Sequence, residues 1–309
     1  MLIHSKRSFI NELQETMRDN VAGFVDRPDR TSVILRDVPF SEYRQLPGVN
    51  ASTISKLAEG YRAYQSSVLE NSPESIFYKE SSERHFAKGT ATHSLVLEGS
   101  AAYNRDVVIM PTTRIEEGEE KKNIRRGKWW DGFKAENHGK VILSGKERFQ
   151  VDAMAQAVFS HQGALEEFDK APQRELTILW WSNQFQTVCK ARLDAVSLDG
   201  RSLVDLKTTR DVDLDAFSRA CGRYGYHIQA YWYTEAAING FDISEEQLAK
   251  SPIEFSFVVV ESSKPAPEVA VFSVPSEMML DGYYSVEAAF CAYEDKTWKY
   301  RSKEVLPWV

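Results

Sequence analysis

The sequence of 309 residues predicts one α/β domain with helical additions. Two runs rich in β-branched and apolar residues, 186–197 and 202–208, flank an Asp-Gly pair at 199–200, which is typical of a hairpin turn. Two more strand-like runs, 254–261 and 269–274, come later, after segments with helical periodicity. Strands that alternate with helices in this way are typical of an α/β fold.

The predicted hairpin determines which side chains lie together. With a two-residue turn at 199–200, Asp194 faces Asp205 and Arg192 faces Lys207, and all four side chains lie on one face because side chains alternate along a strand. Two carboxylates directly opposite each other repel, and a cation between them removes the repulsion. Oxygen ligands of this kind suit Mg²⁺ or Mn²⁺.

A less specific interpretation of the same residues is that Asp205 and Lys207 are charges at a strand end that point to water. An isolated Asp-x-Lys is usually of that kind, since short motifs match by chance. The carboxylate predicted opposite Asp205 and the apolar strand around it favour a site instead.

Composition and charge restrict the class of protein. The net charge of −7 argues against a general nucleic-acid binder but allows basic residues along one channel. Cys189, Cys221 and Cys291 have no CxxC spacing, so we expect reduced, mostly buried thiols rather than a zinc site. No apolar run has the length of a membrane span, and the N-terminus lacks the apolar core of a signal peptide. We therefore expect a cytoplasmic protein that does not enter a membrane.

The N-terminal part divides at about residue 36. Residues 1–36 are expected to form an extension with a helix over 9–17, and 37–309 a single domain with its core at about 82–274. Ser52 is a candidate N-cap for a helix that reaches Tyr61. The hydroxyls of Ser52 and Ser55 and the free N–H groups of a helix start also suit a phosphate, although capping alone explains the pattern equally well.

Residues 81–98 contain the first chemically notable helix. Phe86, Thr90, His93 and Leu97 recur at helical spacing, which places His93 on an apolar face. Such a histidine is either a core residue or, because neutral imidazole binds metals well, a ligand. Residues 101–111 then resemble a strand and its exit.

Residues 112–140 are polar, acidic first and then basic. Trp129 beside Arg125, Arg126 and Lys128 suits stacking on bases and binding of phosphates. The alternative is a solvated loop that one buried tryptophan anchors. Residues 144–160 fit an amphipathic helix whose apolar side carries Phe149.

After the hairpin, the sequence predicts two helices joined at glycines. The first starts at Asp213 or Asp215, and Gly222 and Gly225 interrupt it. The second covers 226–238 and places Gln229 and Tyr233 one turn apart on one face. A last helix over 277–296 is expected after Ser276.

Five motifs in order resemble one nuclease family. The segments GTATH, ELTILWW, KARLDAV, VDLKTT and YHIQAYWY are similar to RecE-type nucleases, the exodeoxyribonuclease VIII group, over roughly residues 40–233. These belong to the PD-(D/E)xK superfamily with RecB-type nuclease domains and lambda exonuclease. The resemblance implies a restriction-endonuclease-like core, with a mixed central β-sheet flanked by helices. It also implies Mg²⁺-dependent hydrolysis of duplex DNA from a 5′ end, with Mn²⁺ as a substitute.

The resemblance assigns roles by position. Asp194, Asp205, the carbonyl of Leu206 and His93 match metal-binding positions, and Glu175 matches an outer acid of the metal site. The remaining matches are the catalytic lysine, Lys207, and the QxxxY motif of the last segment, Gln229 and Tyr233.

Two departures from the family pattern concern the acids and the phosphate. The second acid is Asp205 rather than glutamate, and Arg192 stands where some relatives have a small hydroxyl residue. Arg192 is expected to bind a phosphate with its planar fork, beside Ser52 and Ser55, while Gln229 donates to a phosphate oxygen.

Three functions follow, in order of preference. The first is a 5′-to-3′ exonuclease that degrades linear double-stranded DNA and exposes a 3′ strand for recombination. The second is a structure-specific endonuclease or resolvase of the same fold, and the third a non-catalytic DNA-binding module. For the exonuclease, the resemblance implies duplex ends as substrate and a ring-shaped homo-oligomer, a trimer or tetramer. It is also compatible with a single-strand annealing protein as a partner.

Overall fold

The structure is a computed structural model that describes residues 32–64 and 82–294. The helix predicted over 9–17 lies outside these residues. The strands, β1 to β10, are Ser32–Leu35, Val107–Met110, Thr113–Glu116, Glu119–Lys122, Val141–Ser144, Gln173–Ser182, Thr187–Val196, Ser202–Thr209, Glu254–Glu261 and Val269–Ser273. The α-helices, α1 to α12, are Phe40–Gln45, Ala51–Ala58, Tyr61–Tyr64, Ser82–His93, Ser100–Asp106, Gly127–Glu136, Gly145–Ser160, Gln162–Lys170, Leu214–Tyr224, Tyr226–Phe241, Glu245–Lys250 and Ser276–Glu294.

The central sheet has six strands in the order β1-β6-β7-β8-β9-β10. Neighbours are antiparallel except β8 and β9, which are parallel. Helices cover the sheet, so the prediction of a mixed α/β fold with a central sheet flanked by helices is confirmed. Strand β1 pairs with β6 although its residues fall in the segment that the sequence assigned to an extension. Four residues are too few for a recognisable alternating pattern.

The sheet carries an apolar core on each face. Alternate residues of one strand belong to different cores, as Leu203 and Val204 of β8 do. The first core lies under α2, α9, α10 and α12 and includes the buried Trp232. The second lies under α4, α7 and α8 and includes Met154. Burial on both faces explains why the central strands are continuously apolar rather than alternating.

The β7–β8 hairpin has the predicted register but a longer turn. Val196 pairs with Leu203, and the N–H of Ser197 donates to the carbonyl of Ser202 at 2.9 Å, so four residues form the loop. A two-residue type I′ turn needs positive φ at both central residues, whereas of the Asp-Gly pair only Gly200 has one, at 76°. The hydroxyl of Ser197 accepts the N–H groups of residues 201 and 202, which stabilises this wider loop.

The predicted N-cap of α2 and its predicted C-terminal end were both wrong. The N-cap of α2 is Asn50, whose side chain accepts the N–H of Thr53, while the Ser52 hydroxyl donates to Asn50 at 2.8 Å. Helix α2 ends at Ala58 rather than at Tyr61, and Gly60 follows with φ of 119°. Both Asn and Ser are good caps, so composition alone does not choose between adjacent candidates.

The helix that ends at His93 exposes the face that the sequence marked as apolar. Phe86 is 68% exposed, whereas Ala91 and Thr92 are fully buried. A π-helical turn, Ser94–Glu98, follows at once. Within this turn Leu97 is buried in the core, whereas Glu98 lines a cavity.

Other departures concern residues 100–160. Residues 100–106 are helical, and only β2 matches the predicted strand. The polar segment 112–140 forms a hairpin, β3–β4, and helix α6. In α7 the buried residues include Val151 and Met154, while Phe149 is 76% exposed. Further on, Asp213 caps α9 and Gly225 ends it, both as predicted, whereas Gly222, which was also predicted to interrupt the helix, lies inside it. Cys189 and Cys221 are buried free thiols, and Cys291 is exposed.

Candidate active site

The candidate site lies where two neighbouring strands separate. Pairing of β7 with β8 ends at Ala195 and Val204, after which β7 continues beside β6 and β8 beside β9. At this point the side chain of Asp194 accepts the N–H of Leu206 at 2.9 Å. We call this opening the strand fork. Its position is consistent with repulsion between Asp194 and Asp205, which the hairpin register would set opposite each other.

One wall of the strand fork carries a cluster of possible metal ligands. One ligand atom each from His93, Glu175 and Asp194 lies within 4.8 Å of the others. The register of β6 and β7 sets Glu175 opposite Asp194, and helix α4 brings His93 to 3.4 Å from Asp194. Imidazole and carboxylate ligands fit a divalent cation. The cluster contains Glu175 where the sequence favoured Asp205 and the Leu206 carbonyl.

Electrostatics favours a cation in this cluster. Burial, and then the nearby Asp194, raises the pKa of Glu175 well above its usual value, and burial also raises the pKa of Asp194. Enclosure and the neighbouring Lys207 lower the pKa of His93 to about 4, so its imidazole is neutral and able to bind a metal near pH 7. Glu175 has a positive φ of 49°, which is strained for a residue other than glycine. These groups fit a bound divalent cation, because it would offset the desolvated negative charge.

The other wall holds the acid and the lysine of the Asp-x-Lys motif. Lys207 contacts the carboxylate of the fully buried Asp205. Gln229 of α10 joins the pair, since its amide donates to Asp205 at 2.8 Å and accepts from Lys207 at 2.9 Å. Gln229 therefore positions the lysine, and one of its two amide hydrogens bonds Asp205 rather than the phosphate that the sequence suggested. Burial raises the pKa of Asp205 to about 6, whereas Asp205 and Asp194 raise the pKa of Lys207 against the opposing effect of burial.

Tyr233 continues this network one helical turn along α10. Its side chain is bonded to Gln229, and burial raises the pKa of its hydroxyl. This bond to the neutral phenol helps to hold Gln229 in place. Lys207 also lies 4.7 Å from the ring centre of Tyr226, which stabilises the ammonium group.

Arg192 has a different partner from the predicted one. It pairs in register with Thr177 of β6. On its other side it does not pair with Lys207, because the pairing of β7 with β8 has already ended. Its guanidinium lies 3.0 Å from the carboxylate of Glu175 and 3.5 Å from that of Glu98. Two carboxylates therefore hold the guanidinium that the sequence assigned to binding of a phosphate.

The site opens into a cavity of about 1920 Å³. Several arginines with exposed side chains line it and have no ion-pair partner among the residues that the structure describes, namely Arg44, Arg210, Arg219 and Arg223. Sequence reasoning missed them because they come from separate elements and form no local cluster. Only the one-turn spacing of Arg219 and Arg223 on α9 was a detectable signal.

The predicted phosphate-binding serines line the same cavity but are already bonded. The hydroxyl of Ser52 donates to Asn50, and that of Ser55, inside the helix, donates to the carbonyl of Ala51 at 3.0 Å. Ser55 also lies against Gly225 at the start of α10, where a Cβ would come within 2.9 Å of its hydroxyl.

The basic segment at the start of α6 lies outside this cavity. None of Arg125, Arg126, Lys128 and Trp129 lines it. Arg125 is bound to Glu147, at 3.0 Å for one of two contacts, and to a backbone carbonyl. Trp129 stacks on Phe133 at 5.2 Å. These contacts hold the segment in place, and none of them involves the carboxylates of the strand fork.

A central sheet with an acid, acid and lysine set at a strand fork defines a class, the PD-(D/E)xK nuclease superfamily. The family model described as "PDDEXK-like domain of unknown function (DUF3799)" matches residues 58–304, and the chain belongs to this family. The match begins before α4 and includes every residue of the two walls of the strand fork.

A solved structure of another protein has a similar fold. It is a crystal structure from Eubacterium rectale described as a "Putative exonuclease", with a TM-score of 0.51 and 14% identity over 84% of this chain and 85% of that one. At this identity the likeness shows the fold. No curated protein matches the chain. Within the described residues, no helix has the length and apolar character needed to cross a membrane.

Proposed function

We propose that this protein is a divalent-metal-dependent exonuclease that degrades linear double-stranded DNA from 5′ to 3′ and exposes a 3′ strand for recombination. The observation that carries the proposal is the common cavity of the ligand cluster, Lys207 and four arginines that have no ion-pair partner within residues 32–64 and 82–294. Its volume of about 1920 Å³ is larger than that of pockets for small molecules, roughly 300–1,000 Å³. A polymer with a charged backbone fits such a cavity better than a metabolite does.

The chemistry follows from the two walls of the strand fork. Bound by His93, Glu175 and Asp194, Mg²⁺ or Mn²⁺ supplies charge neutralisation and activation of a water molecule. Lys207 stabilises the negative charge that develops on the phosphate or orients the attacking water, since its ammonium is a compact point charge. Asp205 and Gln229 hold that ammonium in place.

The arginines of the cavity provide affinity without sequence preference. Arg44, Arg210, Arg219 and Arg223 each present a guanidinium that suits a phosphate. Contacts to the backbone position a duplex but do not read its bases. An exonuclease that acts on any sequence needs contacts of this kind.

Direction of degradation depends on recognition of the 5′ phosphate. In this proposal the pocket lies near Ser52 and Ser55, where α2 meets the start of α10. Arg192 joins it only after it leaves Glu175. A linear duplex with 5′ phosphates is then degraded faster than one with 5′ hydroxyls.

The assembly is proposed on the family resemblance. We propose a ring-shaped homo-oligomer, a trimer or tetramer, with the cavities facing a central DNA channel, and a single-strand annealing protein as the partner that takes the product. Light scattering tests the ring: a monomer that still degrades DNA processively would contradict it.

The direct test of the activity compares a linear duplex with a closed circle, each with Mg²⁺ or Mn²⁺ and with EDTA. The proposal predicts loss of the linear DNA, survival of the circle, and no reaction in EDTA. Cleavage of the circle would indicate the endonuclease or resolvase instead. Binding without cleavage of any DNA would indicate the non-catalytic module.

A further inference from the structure

Arg192 occupies a position between two carboxylates of different roles. One amino group of its guanidinium lies 3.0 Å from Glu175, a member of the ligand cluster. The other lies 3.5 Å from Glu98, which is outside the cluster. The Nε of Arg192 is buried without a hydrogen-bond partner among the described residues, so one donor of the guanidinium is unsatisfied in this arrangement.

Glu98 is the last residue of the π-helical turn, Ser94–Glu98, that follows α4 directly. Leu97 enters the core and Glu98 lines the cavity beside the cluster. Such single π turns are often found at functional sites.

We propose that Arg192 is a built-in counter-ion that competes with the metal for Glu175, and that Glu98 is the positioning residue that retains Arg192 when the metal takes Glu175. This inference rests on the proposed function, since it concerns metal binding at the same site. The Arg192 fork, released from Glu175 and still held by Glu98, then offers its free donors to a phosphate of the substrate. Metal binding and phosphate binding are coupled through one side chain.

The two partners of Arg192 should affect the metal in opposite directions. Without Arg192, no other cation among the described residues pairs with Glu175, and the metal binds more tightly. Without Glu98, a metal that takes Glu175 leaves the buried guanidinium with no carboxylate, which is costly for an unpaired buried charge, so the metal binds more weakly. A purely structural role would change both affinities in the same direction or only the stability.

The experiment is a calorimetric titration of the full chain with Mn²⁺, without DNA. We expect Arg192→Gln to tighten binding and Glu98→Gln to weaken it, each by about tenfold or more, the size usual for groups that contact metal ligands. Thermal unfolding of each variant checks that the fold is retained.

Two control variants remove the same charges elsewhere in the cavity. Lys56 pairs with Glu59 and Asp106 pairs with Arg105, and both line the cavity. Lys56→Gln and Asp106→Asn should leave Mn²⁺ affinity within about twofold, because distant exposed charges are screened. If the controls shift affinity as much as the test variants, general electrostatics explains the result and the inference is wrong.

The outcomes separate this inference from the proposed function. Binding of Mn²⁺ by the parent with unchanged or parallel shifts in Arg192→Gln and Glu98→Gln would overturn the inference alone. No Mn²⁺ binding by the parent would overturn the inference and the metal-dependent function together. Opposite shifts with unaffected controls would support the inference.

Discussion

At the scale of single residues, the site combines groups that the sequence identified with partners that it did not. Asp194, Asp205 and Lys207 stand out in sequence because charges are rare in strands this apolar. Gln229 was predicted to donate to a phosphate, but its amide bonds Asp205, Lys207 and Tyr233. The hydrogen-bond partners of a side chain depend on how separate elements meet in the folded protein, and local spacing in the sequence does not contain that information.

Asp205 should make the metal-free protein sensitive to pH. Burial raises its pKa from 3.8 to about 6, so the folded state prefers the protonated acid. Its favourable contribution is present below pH 3.8 and is lost as pH rises through about 6. The shift corresponds to about 3 kcal/mol. In EDTA, we therefore expect the difference in unfolding free energy between Asp205→Asn and the parent to shift in favour of the variant by about this amount as pH rises from 4 to 7. Urea unfolding at both pH values measures it, and a constant difference would contradict the burial argument.

His93→Ala should weaken the metal site rather than the fold. The imidazole is 28% exposed at the cavity, so its loss creates little empty core volume. We expect Mn²⁺ affinity to fall by at least about tenfold, with a melting temperature close to that of the parent in EDTA. Calorimetry with and without Mn²⁺ separates the two effects. A fall of several degrees in EDTA with an unchanged response to Mn²⁺ would identify a core histidine instead.

At the scale of elements, the sequence predicted the register of the hairpin but not where its pairing ends. Alternation of apolar residues determines the register, since a shift by one residue would reverse every side chain. The strand fork and the π-helical turn depend on charges and packing from other parts of the chain. The N-cap of α2 was misplaced by two residues for a similar reason, because Asn50 and Ser52 are equally good candidates locally.

The packing of α10 against α12 depends on one glycine. A Cβ at Gly282 would lie 2.3 Å from the carbonyl oxygen of His227 and 2.7 Å from the Cβ of Tyr231. Gly282→Ala should therefore lower the unfolding free energy by about 1–3 kcal/mol, as overpacking does. Gly132→Ala is the matched control in exposed α6, where nothing lies within 4 Å, and it should be neutral or stabilising by up to about 1 kcal/mol. Equal effects of both changes in urea unfolding would contradict the close helix contact.

At the scale of the whole molecule, charge is distributed unevenly. The chain carries a net charge of −7, yet the cavity is lined by arginines that have no ion-pair partner in the described part of the chain. The net charge allowed basic residues along one channel, and the sequence offered Arg125, Arg126 and Lys128 as candidate phosphate contacts. Folding instead brings together arginines from α1, the end of β8 and α9, which are far apart in the chain. The central strands were readable from sequence, but a surface assembled from separate elements was not.

DNA affinity should distinguish the two groups of basic residues. The double variant Arg219→Gln, Arg223→Gln should weaken binding of a linear duplex and reduce the slope of log affinity against log salt by about two, or about one for each lost phosphate contact. Arg126→Gln, outside the cavity, serves as the control and should change neither quantity. Fluorescence anisotropy in EDTA across a salt series measures both. A larger effect of Arg126→Gln would indicate that DNA binds along the basic segment at the start of α6 instead.

The central claim, that the strand fork is a metal-dependent hydrolytic site, is tested most directly by DNA hydrolysis with the parent, Lys207→Ala and Asp205→Ala. With Mg²⁺ or Mn²⁺, the parent should degrade linear duplex DNA, and both variants should lose nearly all of that activity while they keep a cooperative unfolding transition. The reason is that Lys207 supplies the positive charge next to the phosphate and Asp205 holds it there. Near-parental degradation by either folded variant would contradict the claim.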